Sequence, residues 1–198
     1  MPVSYTNRKG QTYTLYKGQT KTGKPRYYFG RPGHSQGEPV KELPSGFTIS
    51  ENINGLVTLS KYRPVLIQPE EVTAIEAEVK RHPEAYQYQI AVKRDKIEIY
   101  EQNSLNFDVL CSRLQTTFQL DPDQVSRLRS QEEHYAPRYT PVLRFILLDL
   151  IQRRFSVQRM CYRRSSDGWL ELSQTGPVAE LAHAFIPTLG TDLFYELW

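Results

Sequence analysis

Two runs that alternate with period 2, Tyr86-Gln87-Tyr88-Gln89-Ile90-Ala91-Val92 and Ile97-Glu98-Ile99-Tyr100, flank four polar residues, Lys93-Arg94-Asp95-Lys96. Successive strand side chains point to opposite faces, so this pattern specifies a half-buried antiparallel hairpin. The same grammar recurs along the chain. Phe47 to Glu51 and Leu56 to Leu59 flank Asn52-Ile53-Asn54-Gly55, where Asn-Gly supplies the positive φ angles of a tight reversal. Phe155 to Cys161 alternates, Ser166-Asp167-Gly168 turns, and Trp169-Leu170-Glu171-Leu172 returns. Near the start, Gln11 to Tyr16 and Arg26 to Phe29 read as strands around a polar loop, Lys17 to Pro25. Gly30 to Pro44, rich in Gly and Pro, reads as a mobile loop, and Pro64 to Ile67 as a further strand or its edge.

Helical signals are fewer. Pro69 to His82 opens with Pro, Glu70 and Glu71 and carries the apolar stripe Val72, Ile75 and Val79 before Pro83 stops it. Residues 105–118 place Phe107, Leu110, Leu114 and Phe118 at helical spacing, and Asp121-Pro122-Asp123-Gln124 starts another helix running to about Glu133. Pro177 to Ile186 is a short one. Tyr135 to Thr140 reads as a linker, and Val142 to Leu150 fits a strand or a helix. The expected fold is α+β, mainly antiparallel β-hairpins and meander with three to four short helices. The expected division is a β-rich lobe with one helix at 1–102, a helical connector at 103–137, and a C-terminal meander with a short helix at 138–198. A merger into one domain is the alternative. The 198 residues suffice for either.

Charge is distributed unevenly. The net charge is +3, yet Arg8, Lys9, Lys17, Lys21, Lys24, Arg26 and Arg31 all precede the first acid, Glu38. A basic end on a net acidic body points to an anionic partner. A second set, Arg138, Arg144, Arg153, Arg154, Arg159, Arg163 and Arg164, is opposed within its span by Asp149 alone, and no Lys follows Lys96. Arginine's planar fork suits phosphate or carboxylate, so these side chains either bind an external anion or pair with the acidic helices.

Gly18-Gln19-Thr20-Lys21-Thr22-Gly23-Lys24-Pro25 nearly spells a phosphate-binding loop. Pro25 stands where the Mg²⁺-binding hydroxyl belongs, and a strand follows where the motif needs a helix N-terminus. A basic hairpin tip remains. Tyr27 and Phe29 share one strand face and Tyr28 takes the other, so at least one face packs inward. The candidate anion-binding residues are Lys21, Lys24, Arg26, Tyr28 and Arg31, with Arg153, Arg154, Arg163 and Arg164 in the C-terminal meander. Lys and Arg would neutralise phosphates, and an exposed ring would stack on a base. The competing reading is a solvated hairpin with its aromatics turned inward.

Other motifs are thin. Glu78-Val79-Lys80 matches a nuclease fragment, but it falls on the Pro69 to His82 helix and reads as a surface charge pair. His34, His82, His134 and His183 are scattered, and Cys111 and Cys161 lie in no metal-binding spacing, so no metal, cofactor or catalytic residue is assigned. The start lacks the apolar core of a secretory signal, and no run is long enough to span a bilayer. The expectation is a protein of the reducing cytoplasm with no membrane partner.

The run Thr20 to Phe29 resembles one found in a family of uncharacterised bacterial proteins. Leu143-Arg144-Phe145, Phe155-Ser156-Val157 and Asp167-Gly168-Trp169 are similar to further pieces of it. The resemblance covers pieces of both ends of the chain. That family has no assigned activity, so the resemblance implies no site.

The expected function is a non-catalytic binding protein that contacts an anionic partner, with nucleic acid (DNA or RNA) as the first candidate, through its basic aromatic N-terminal hairpin and Arg-rich C-terminal meander. The alternative is a protein–protein adaptor or regulatory subunit using the Tyr-rich strands and the apolar end Leu193 to Trp198.

Overall fold

The computed structural model describes residues 1–33, 37–103, 138–161 and 168–196. The chain divides into two compact units, Met1–Val65 and Leu66–Trp198. Both are built on antiparallel sheets, and the described residues contain few helices.

In the first unit the long strand β2 (Thr12–Gln19) is the spine. It pairs with β3 (Pro25–Gly30) over Thr14 to Gln19, and with β1 (Ser4–Thr6) at its start. The two-residue strand β4 (Glu38–Pro39) pairs with Tyr16 and Lys17. Val40 continues this contact: its amide donates to the Leu15 carbonyl at 2.9 Å, and its carbonyl accepts from Val3 at 2.8 Å. Part of the stretch read as a mobile loop therefore completes a sheet. The reason is that β1 covers only the start of β2, and the remaining backbone groups of β2 require partners. Strands β5 (Phe47–Glu51) and β6 (Val57–Lys61) form the expected hairpin, with Gly55 at φ +81°.

Two polar side chains tie the turns of this unit together. Asn7 is buried; its Nδ2 donates to the Gly55 carbonyl at 2.7 Å, and its Oδ1 accepts the amides of Lys9 and Gln11. Glu51, at the end of β5, accepts from the Tyr5 hydroxyl at 2.9 Å and from the Arg8 amide and Nε, each at 3.0 Å.

The second unit holds a five-stranded sheet in the order β11-β10-β9-β8-β7. Its strands are β7 (Tyr88–Val92), β8 (Lys96–Asn103), β9 (Arg138–Asp149), β10 (Arg154–Cys161) and β11 (Gly168–Gly176). Strands β8 and β9 are neighbours, so the strands before and after residues 104–137 share one sheet. The stretch 142–150 is strand through Asp149, and Arg138 to Thr140, read as linker, pairs with Glu101 to Asn103. Pro141 sits where the β8–β9 register shifts, a position that tolerates the missing amide. Residues 64–67 form no strand; the Leu66 amide donates instead to the Arg94 carbonyl at 2.6 Å. The helical stretches read at 105–118 and 121–133 lie outside the described residues.

Helices α1 (Pro69–Arg81) and α2 (Val178–Phe185) cover one face of this sheet. Ile75 and Val79 of α1 and Leu181, Ala182 and Phe185 of α2 join Ile97, Ile99, Leu143, Phe145, Phe155, Val157 and Leu172 in one buried cluster. A short helix, α3 (Asp192–Glu196), docks through Phe194, which is buried while Leu193 and Tyr195 stay exposed. His82, at the end of α1, accepts the Glu84 amide on Nδ1 at 3.1 Å. The ring proton therefore lies on Nε2, 3.1 Å from the Leu189 carbonyl.

Glu71 is the unexpected member of α1. Its carboxylate is buried and accepts the Gln68 amide in a capping box. It also takes a fork from Arg153, with Nε to Oε1 at 2.8 Å and NH2 to Oε2 at 2.6 Å. The same NH2 donates to the Leu66 carbonyl at 3.1 Å. Arg153 lies in the β9–β10 turn at φ +50°, a left-handed conformation that is unfavourable for a residue with a Cβ. Asp149 shapes that turn by accepting the amides of Ile151 and Gln152 at 2.7 and 2.8 Å.

Arg153→Ala should lower stability by about 1–3 kcal/mol, since Glu71 loses its cation while the partly exposed Arg153 site refills with water. Urea unfolding checks this, and a loss within about 0.5 kcal/mol would show the pair to be passive. A second expectation concerns acid. Burial raises the Glu51 pKa, but the bonds from the Arg8 amide, Tyr5 and the Arg8 guanidinium outweigh it, leaving the pKa below its ordinary 4.5. A depressed carboxylate contributes stability that is complete above the unfolded value and is lost as pH falls through the folded one. Acid unfolding followed in Glu51→Gln should show a shallower pH dependence below about pH 4.5 than the parent chain.

Candidate functional site

The basic hairpin is shorter at its tip than its sequence suggests. Strands β2 and β3 run to Gln19 and from Pro25, so the loop is Thr20 to Lys24 alone. The loop is closed on itself. The Thr20 amide donates to the Lys24 carbonyl and the Gly23 amide to the Thr20 carbonyl, both at 2.9 Å, and the Lys24 amide reaches Thr20 Oγ1 at 3.1 Å. Gly23 adopts φ +77°, which a side chain would resist. A strand follows the loop, so no helix N-terminus faces it.

Lys21 and Lys24 stand on this loop, and Arg26 lies on β3 opposite Gly18. All three are exposed, as is Arg31. Among the described residues none of the four forms an ion pair. Arg31 lies beyond the other end of β3, about 17 Å from Arg26 at a strand rise of ~3.3 Å per residue. The structure thus gathers three of the four cations around the tip.

The aromatic triplet divides as alternation requires. Tyr28 is half-buried and stacks on the buried Tyr16, with ring centroids 5.9 Å apart and planes 24° apart. Two glycines make room for it. A Cβ on Gly18 would lie 3.3 Å from its ring, and one on Gly37 only 2.8 Å from its hydroxyl. Phe29 sits opposite Leu15, which is fully buried, and Tyr27 sits opposite the exposed Lys17.

The arginines of the second unit have other surroundings. Arg153 is engaged by Glu71 and Leu66. Arg154 is exposed, and its NH2 donates to Thr175 Oγ1 at 2.7 Å. Arg163 and Arg164 lie outside the described residues. Glu78 of α1 pairs with Arg81 at 2.5 Å, one turn along the helix, and with His183 Nδ1 at 3.5 Å. Among the described residues no group of three or more His, Cys, Asp or Glu is placed to hold a metal ion, and no helix is long and apolar enough to cross a membrane.

A polar row that sequence reasoning passed over crosses the second sheet. Ala91, Glu98, Arg144, Gln158 and Glu171 are successive cross-strand partners over all five strands. Glu98 is only 3% exposed. It accepts from the Tyr100 hydroxyl at 2.7 Å and pairs with Lys93 at 2.6 Å. Arg144 donates from Nε to Gln158 Oε1 at 2.7 Å, and Gln158 passes a bond on to Glu171. The Arg144 guanidinium lies 3.9 Å from the centre of the Trp169 ring. Burial pulls its pKa down, and the charges of Glu98 and Glu171 push it back up. Burial, reinforced by Glu98, drives the Tyr100 pKa above its ordinary value. That phenol therefore holds its proton as a donor and is unsuited to act as a base. Its polar groups are each bonded within the sheet, Glu98 to Tyr100 and Lys93 and Arg144 through Gln158 to Glu171, so the row sets register more than it offers groups to a ligand. Its sequence signal was the placement of Glu98 between Ile97 and Ile99, inside an alternating strand.

Glu98→Ala should destabilise the chain by about 1–3 kcal/mol, because Tyr100 loses a partner and Lys93 its counter-charge. Thermal unfolding measures it, and an unchanged midpoint would mean that solvent replaces the carboxylate. Comparison with known protein families, with curated proteins and with solved structures finds no match to this chain.

Proposed function

We propose that the protein binds a polyanion, nucleic acid fitting the residues best, through the β2–β3 hairpin of its first unit. The observation that carries this is the group Lys21, Lys24 and Arg26: three exposed cations around one closed loop, with no carboxylate paired to them among the described residues. Five other cations, Arg8, Arg81, Lys93, Lys96 and Arg153, are by contrast held by carboxylates of the chain itself. Cations left free on an ordered hairpin are available to phosphates, and each phosphate neutralised releases condensed counterions. Tyr27 and Tyr28 are half-buried, and Tyr28 is already stacked on Tyr16, so neither is a fully open stacking platform. This favours backbone contact over base reading.

Binding to labelled oligonucleotides should therefore weaken steeply with salt and vary little with sequence. Replacing Lys21, Lys24 and Arg26 with Ala should reduce the slope of log K against log salt by about two to three, at roughly 0.7–0.9 per phosphate contact. Fluorescence anisotropy across a salt series, on single-stranded and duplex DNA and on RNA, reads this directly. No binding at low salt, or an unaltered slope in the triple variant, would overturn the proposal.

A further inference from the structure

At the end of the second sheet, beside α3, lies a cleft of about 290 Å³. Val142, Met160 and Phe194 give it apolar walls, and Thr140, Glu101 and Tyr195 supply polar atoms. Its volume sits at the small end of ligand pockets, which start at about 300 Å³, so it suits the end of a chain or a fragment.

Its charge is set by Glu101. One oxygen, Oε1, accepts the Tyr88 hydroxyl at 3.1 Å, and Oε2 has no partner among the described residues. A second carboxylate brackets the same phenol: a Cβ on Gly190 would lie 3.1 Å from the Tyr88 hydroxyl and 3.5 Å from Glu84 Oε2. Burial first, and then Glu101 and Glu84, raise the Tyr88 pKa, so that hydroxyl remains a donor to Glu101. Of the cations nearby, Arg159 turns its NH2 to the Tyr195 carbonyl at 3.0 Å, and Arg138 lies opposite Asn103 at the open end of β8–β9.

The walls specify what kind of cation fits. Phe194 and Tyr195 meet edge to face, with centroids 5.5 Å apart. Aromatic faces and a thioether stabilise a large, weakly hydrated cation, whereas Mg²⁺ and Ca²⁺ require about six or more oxygen ligands. We propose that this cleft binds an organic ammonium group, with the Glu101 carboxylate as its charge partner and Tyr195 as its aromatic wall. A free polyamine and a lysine side chain of a partner both carry that group.

The test is an NMR titration of the full chain with n-butylammonium, tetramethylammonium and neutral 1-pentanol, followed at the Met160 methyl and the Tyr195 ring. The expected result is saturable shifts with both cations and none with the alcohol. Glu101→Gln keeps an oxygen for the Tyr88 hydroxyl but removes the charge, and should weaken binding about tenfold or more. Tyr195→Ala changes an exposed side chain and should weaken it several-fold while the remaining spectrum is preserved. Spermidine and N-acetyl-lysine amide then distinguish the two sources by which of them saturates at lower concentration. Equal response to the alcohol, or full affinity in Glu101→Gln, would overturn the proposal.

Discussion

A buried carboxylate must be matched, and the way Glu71 is matched organises the second unit. One acid joins the first turn of α1 to the β9–β10 turn, because the Gln68 amide and the Arg153 fork converge on it. The Leu66 carbonyl accepts the same guanidinium, so the segment entering α1 is fixed as well. Beyond that first turn, Ile75 and Val79 bury the helix stripe against the sheet. The two contacts select one orientation together. A helix rotated about its axis would leave Glu71 buried without its cation, at a cost of several kcal/mol, even where apolar contact survived. Arg153 is held left-handed by the same arrangement, with Asp149 fixing the turn amides around it.

The sheet is specified on both faces in a comparable way. Its covered face is apolar, with Ile97, Ile99, Leu143, Phe145 and Val157 at successive alternating positions. Its other face carries Glu98, Arg144 and Gln158, each bonded to a neighbour. A register slip of one residue would exchange these sets, burying three polar groups in the core. The network therefore penalises wrong pairings more than it strengthens the right one.

Local features were legible in the sequence. Asn54-Gly55 fixed one turn, the four polar residues at 93–96 another, and Pro69 with Glu70 and Glu71 the start of α1, each within a few residues of chain. What could not be seen depends on distant partners. Arg153 and Glu71 lie 82 positions apart, so the sequence left Arg153 open between an external anion and an acidic helix, and only the fold chooses Glu71 of α1 for it. The β8–β9 pairing joins strands across residues 104–137, a contact that no local pattern in the sequence reveals. At the hairpin, alternation correctly divided Tyr27 and Phe29 from Tyr28. Which ring stays accessible depended on Tyr16, Gly18 and Gly37, and the last of these belongs to a stretch that read as loop.

Cationic side chains thus have opposite surroundings in different parts of this chain. Arg153 and Arg144 lie against their own neighbours, where they stabilise turns and register. An external anion would have to displace a carboxylate or an amide to reach them. Lys21, Lys24 and Arg26 have no such competitor among the described residues, and the strands beneath them are ordered by backbone pairing and by the Tyr16–Tyr28 stack. Binding there would require ordering side-chain ends rather than the hairpin itself, so little of the electrostatic gain would be lost to entropy. For that reason the number of free cations on a preformed element is a better guide to an anion site than the total number of arginines. By that measure the first unit, although it holds fewer arginines, is the stronger candidate.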